Sequence, residues 1–127
     1  MMNPTQPFIL HAAPCQEGWG DVARGNVLWR TLFSSDITPT NALTAGVYEI
    51  TSGNALEVHR HSAPEVYFIL AGTGLMTVGD AEHVVQADSA IYVPCHVLHG
   101  IRNIGPDLLR LFYVFAVDGF GEVKYIF

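Results

Sequence analysis

The feature that most constrains this chain is a succession of short strand-forming segments cut at regular intervals by turn residues. From Asn26 onward come "NVLWRTLF", "LTAGVYEIT", "ALEVHRH", "EVYFIL", "GLMTVG", "EHVVQA", "AIYVP", "VLHGIRN" and "LLRLFYVFAV". Each is rich in β-branched and aromatic residues, and Gly, Pro, Asn or Asp stands between them. A spacing of about ten residues between such segments marks a β-sandwich or barrel. No stretch of about twelve residues carries apolar positions at helical spacing, which disfavours a helix bundle or an alternating strand–helix fold. The predicted class is all-β with little helix. "LAGTGLMTVGD" reads as a hairpin whose glycines supply the turn. Residues 1–25, broken by Pro and Gly, read as an N-terminal arm with at most one helical turn near "CQEGWGDV", and residues 26–127 as one barrel.

Composition narrows the functional classes. A chain of 127 residues suits one domain. Only 14% of its residues are charged, against about 25% in an ordinary globular domain. The shortage leaves apolar surface to cover, and a homodimer is the simplest cover. Six Lys and Arg face twelve Asp and Glu, a formal charge of −6 with no basic run. Nucleic acid and anionic membranes are therefore poor partners. Cys15 and Cys95 sit at no metal-like spacing and form no disulfide framework. The opening "MMNPTQPFILHAAP" has no basic start and only "FIL" as an apolar run, so the expected compartment is the cytoplasm.

One stretch conflicts with a plain β core. "EVHRHSAPEVYF" places two imidazoles and a carboxylate inside strand-forming sequence. Residues two apart on a strand share a face, so His59 and His61 project together while Arg60 points away. "SAP" bends the chain, and Glu65 opens the next strand, beside the first. Left uncompensated in a barrel, each such group costs about 1–3 kcal/mol. A bound cation removes that cost. Imidazole with carboxylate suits one divalent transition metal: Fe, Mn, Ni, Co or Zn. His99, in "VLHGIRN", is a fourth candidate ligand, because a later strand of a closed barrel can face the first.

These residues fall into two motifs that resemble those of the cupins. The first motif is Gly53, "NALEV", His59, Arg60, His61, "SAP", Glu65, "VYFILA", Gly72, and it agrees at every fixed place. The second is Asp88, "SAIYV", Pro94, Cys95, His96, "VL", His99, "GIR", Asn103. Asp88 and His96 stand where the family has glycine, and both types tolerate left-handed backbone better than most. The resemblance implies a double-stranded β-helix, or jelly-roll barrel, with motifs at 53–72 and 88–103 and a tail at 118–127. It also implies a metal held by His59, His61, Glu65 and His99, with two coordination positions left for substrate, water or dioxygen. The cupin fold hosts unrelated chemistries, so it does not choose the reaction.

Two tyrosines bear on that choice. Tyr67 follows Glu65 by two residues, on the same strand face, and a nearby cation would lower its pKa toward that of a usable base. The tail "DGFGEVKYIF" is expected to fold back over the barrel and bring Tyr125 to its mouth. With both, the chain is similar to the short cupins that cleave dimethylsulfoniopropionate. In those enzymes a metal holds the substrate carboxylate, a tyrosine takes the α proton, and dimethyl sulfide leaves to give acrylate. The resemblance implies Tyr67 as base and Tyr125 as a substrate-site residue, and a small carboxylate as the substrate. A non-haem iron dioxygenase and a non-catalytic sugar- or metabolite-binding cupin remain open beside this lyase or isomerase. Trp29, Phe33, Tyr48 and Tyr92 are candidates for a cation-tolerant aromatic pocket, though packing is the plainer role for Trp29. Cys95, His96, His11 and His83 read as turn or surface residues, Arg102 and Arg110 as solvated, and Glu49 as a weak candidate for an inward acid.

Overall fold

A computed structural model describes residues 4–127. All nine segments expected as strands form strands, and a tenth precedes them. The strands are β1 (Glu17–Asp21), β2 (Gly25–Phe33), β3 (Thr44–Ile50), β4 (Ala55–His59) and β5 (Glu65–Ala71). They continue with β6 (Thr73–Val78), β7 (Ala81–Gln86), β8 (Ala90–Val93), β9 (His99–Asn103) and β10 (Leu109–Phe115). One 3-10 turn, Phe120–Glu122, follows. The helical turn allowed near "CQEGWGDV" is strand instead, because β1 pairs antiparallel with β2 from Glu17↔Trp29 to Asp21↔Gly25. No helix among the described residues is long and apolar enough to cross a membrane.

The strands join in one curled sheet, in the order β7-β6-β9-β4-β2-β3-β10-β5-β8, with β1 added on β2. The join between its two halves is narrow, a single pair at Gly25↔Leu56 between β2 and β4. Gly25 has φ +95°, and a side chain there would run into the Ala55 carbonyl. The close approach that links the halves thus needs glycine.

Two expectations of local pairing change. β5 does not lie beside β4; three strands separate them, and β5 pairs with β10 and β8. Glu65 therefore meets the histidines across the curl of the barrel. "LAGTGLMTVGD" is likewise not a hairpin between β5 and β6. Gly72, with φ +88°, carries the chain from one half to the other, and β6 then pairs with β7 and β9. The hairpin comes one step later, between β6 and β7.

β5 and β10 bury alternate residues, as a period of two requires, while β3 is buried along nearly its whole length. Leu109, Leu111, Tyr113 and Phe115 of β10, with Tyr67 and Ile69 of β5, are fully buried. Each such apolar side chain contributes about 1.5–3 kcal/mol through burial. Outside the barrel, residues 8–15 lie against β2 and β3. Phe8 meets Phe33 edge-on at 5.8 Å, and the Arg30 guanidinium donates to the Pro14 carbonyl at 2.9 Å.

The second motif keeps its backbone despite its substitutions. Asp88 and His96 adopt φ +75° and +62°, the left-handed region expected of them. Asn103 is buried; its side-chain amide donates to the carbonyls of Ile50 and Asp107, each at 2.8 Å, and its carbonyl accepts from Gly105 N–H at 2.9 Å. It pins the turn after β9.

Candidate metal centre

β4 and β9 run antiparallel with His59 directly opposite His99. The register shifts between Leu56 and His59, and such irregularities re-aim side chains. His61 follows just beyond β4, and Glu65 opens β5 from the other half of the sheet. All four are buried, none more than 1% exposed. Arg60 between them points to solvent.

The three imidazoles are oriented in one manner. Nδ1 of His59, His61 and His99 lies 2.7, 2.8 and 2.8 Å from the carbonyls of Glu57, Ala63 and Val97. A carbonyl only accepts, so each Nδ1 carries the proton and donates it. In a neutral ring held this way, Nε2 is the nitrogen that presents a lone pair to the interior. The ligand atoms of the three histidines lie within 4.8 Å of one another. Oε1 of Glu65 sits 3.3 Å from His61 Nε2 and 3.2 Å from His99 Nε2.

The centre therefore gathers acceptors. Nε2 of His59 and His61 and Oε2 of Glu65 are buried without hydrogen-bond partners. Burial, with His99 alongside, pulls the His59 pKa down to about 3, so at neutral pH this imidazole is uncharged. A neutral imidazole with an anchored Nδ1–H is in the state that metals bind. The three histidines can hold a divalent metal, and the donor set fits one.

Two tyrosines flank this centre. Tyr67 is fully buried on β5, edge-on to His99 with ring centroids 6.2 Å apart. Its hydroxyl has the Glu65 carboxylate as a polar neighbour but closes no hydrogen bond of sound geometry. In the protein alone, burial and that carboxylate hold the Tyr67 pKa well above the ordinary phenol value. A cation acts in the opposite direction.

Tyr125 packs against two of the histidines. Its ring lies 5.0 Å from that of His59 and 5.2 Å from that of His61. The expected fold-back of the tail is present. Arg60 and Ile126 exchange two backbone hydrogen bonds of 2.9 Å each. Phe127 stacks on Tyr125 and lies 5.1 Å from the His59 ring.

The remaining sequence candidates separate clearly. Tyr48 faces the interior, its hydroxyl 2.8 Å from that of Tyr125. Trp29 is core, with Nε1 donating to Glu17 at 3.1 Å. Phe33 packs under the arm, and Tyr92 is exposed on the outer face of β8. Glu49 is not an inward acid; it accepts from Arg110 Nε at 3.0 Å on the outer face. Arg102 pairs with half-buried Glu57 at 3.3 Å. Cys95, His96, His11 and His83 are all exposed. Trp19 is the residue the sequence reading missed. It meets Trp29, Tyr125 and Phe127 edge-on at 4.8, 5.1 and 5.5 Å. "EGWGD" gave little sign of this, because two glycines flank one aromatic.

This arrangement can be set against known proteins. A cupin-domain family profile matches residues 46–115, which include all three histidines. The chain belongs to the cupin family. The dimethylsulfoniopropionate lyase DddW of Ruegeria pomeroyi is 36% identical over 110 residues, 87% of this cupin and 72% of that lyase. A predicted oxalate decarboxylase from Thermotoga maritima is similar in structure, with a TM-score of 0.76 at 19% identity over 87% of this chain and 99% of that one. A cupin 2 conserved barrel protein from Rhodopseudomonas palustris has a TM-score of 0.70 at 22% identity, covering 83% of this chain and 71% of its own. At such identities the structural likeness speaks for the barrel alone.

Proposed function

We propose that this cupin is a metal-dependent lyase acting on a small carboxylate, with dimethylsulfoniopropionate as the sharpest candidate. The observation that carries the reading is the convergence of three imidazole lone pairs and the Glu65 carboxylate on one point, beside the unpartnered hydroxyl of Tyr67. We assign His59, His61, Glu65 and His99 as the ligands. When bound, the metal would hold the substrate carboxylate and stabilise the negative charge that develops next to it. Similarity to a lyase named for dimethylsulfoniopropionate supports this choice.

Tyr67 serves as the base, in its phenolate form. Its oxygen takes the proton from the carbon α to the carboxylate. The electrons of that C–H bond form the double bond, and the bond from the β carbon to sulfur breaks. Sulfur keeps the pair and leaves as neutral dimethyl sulfide, and acrylate remains. No oxidant is needed. Buried Tyr67 keeps a fixed position on a strand paired on both flanks, as a group within reach of one proton must. Tyr125, with Trp19 and Phe127 close by, covers the mouth with aromatic surface suited to a sulfonium group.

We also propose a homodimer that covers the outer face of β5 and β8, where Val66, Phe68, Leu70 and Tyr92 are exposed. The two free cysteines suit the reducing cytoplasm. The deciding experiment loads the purified protein with each candidate metal and supplies dimethylsulfoniopropionate without oxygen. Acrylate and dimethyl sulfide in equal amounts support the lyase. Oxygen uptake with a carboxylate substrate would overturn it in favour of a dioxygenase.

A further inference from the structure

Tyr48 belongs to neither motif, yet it ties the inside of the barrel to the tail. It lies on β3 and is 1% exposed. Its ring stacks on Tyr113 with centroids 4.4 Å apart and stands edge-on to Tyr67 at 6.1 Å. These contacts fix the ring without using its hydroxyl. The hydroxyl reaches that of Tyr125 at 2.8 Å, and one phenol donates to the other. Tyr125 is followed by Ile126, whose backbone pairs with Arg60. The segment over the histidines is thus held at adjacent residues by two unlike ties, a backbone bridge on its outer side and a phenol pair on its inner side.

We infer that Tyr48 is a positioning residue, whose hydroxyl holds Tyr125 over the imidazoles and keeps the barrel mouth closed. The inference deepens the site reading above and rests on it for what the closed mouth retains. It does not rest on it for the tie itself. A residue that fixes a cover contributes to holding substrate rather than to the bond changes, so its loss should fall on KM.

Tyr48→Phe is the suitable probe, because the rings that stack on residue 48 keep their partner and only the phenol pair is lost. The full chain is compared with this variant, with Tyr125→Phe and with the double variant. Amide exchange at Ile126 and Arg60 should quicken about three- to tenfold in Tyr48→Phe, the loss of one ordinary hydrogen bond. Acrylamide should quench tryptophan fluorescence more strongly, since Trp19 packs on Tyr125 and Phe127. Tyr125→Phe should match it on both readouts, and the double variant should add nothing. With dimethylsulfoniopropionate, KM should rise about tenfold at nearly constant kcat and unchanged metal content. Unchanged exchange and quenching in Tyr48→Phe, or additive effects in the double variant, would overturn the inference. Should Tyr48→Phe fail to fold, Tyr125→Phe breaks the same bond from the tail side and decides by the same readouts. Failure of every carboxylate to turn over counts against the lyase reading, whereas exchange and quenching report on the tie without any substrate.

Discussion

The two tyrosines beside the candidate metal centre are held in opposite ways. Tyr67 has a fixed backbone and a free hydroxyl. Its strand is hydrogen-bonded to β10 on one side and β8 on the other, and its phenol oxygen has no partner. Tyr125 has a tied hydroxyl and a lightly held backbone. Its segment is joined to the barrel by the bridge of Ile126 and by the phenol pair with Tyr48. A buried hydroxyl without a partner costs stability, so it marks a group kept for another purpose. A satisfied hydroxyl on a short bridged segment costs little and can be released. On the proposed reading, Tyr67 is a floor that serves chemistry and Tyr125 a roof that serves access.

That contrast can be broken at its strongest point first. Tyr67→Phe should lower kcat by about 10²–10⁴-fold with metal retained, the usual worth of a general base. Full activity in that variant would remove the floor from the chemistry. Next, His99→Ala should weaken metal binding by at least about a hundredfold in competition with a chelator, since even supporting residues of a metal site cost up to that much. Unchanged affinity would end the reading of the centre as a metal site. Tyr125→Phe should act more mildly, about tenfold in KM, and leave metal content unchanged. A fall in kcat as deep as that of Tyr67→Phe would make the roof part of the chemistry.

The finest distinction is thermodynamic and uses the metal-free protein. Tyr67→Phe deletes an unpartnered hydroxyl and should raise stability by about 1 kcal/mol in urea denaturation. Tyr125→Phe deletes a partnered one, leaves Tyr48 unpaired in the interior, and should lower it by about the same amount. Equal signs would mean that the two hydroxyls are not differently satisfied.

Much of this was legible in the order of residues. Nine strands followed from β-branched runs between turn residues, because strand formation and interruption are local. The histidines followed from their spacing, because residues two apart share a face of a strand. The left-handed turns at Asp88 and His96 followed from the cupin motif, which has glycine at both places, and from side chains that tolerate that backbone. β1 escaped notice because its pairing with β2 rests on backbone hydrogen bonds, which "EGWGD" does not advertise. The placing of β5 beside β4 failed for a related reason: closeness in the chain is not closeness in a curled sheet.

By itself, the sequence determined an all-β chain carrying a set of side chains able to hold a metal, since periodicity and residue chemistry act over a few positions. The tertiary structure decided which atoms meet. The curl of the sheet brought Glu65 to His61 and His99 from across the barrel. Backbone carbonyls fixed the three imidazole tautomers. The fold-back of the tail set Tyr48 against Tyr125, 77 residues apart in the chain. Such contacts depend on where distant segments are packed, and no local pattern encodes that.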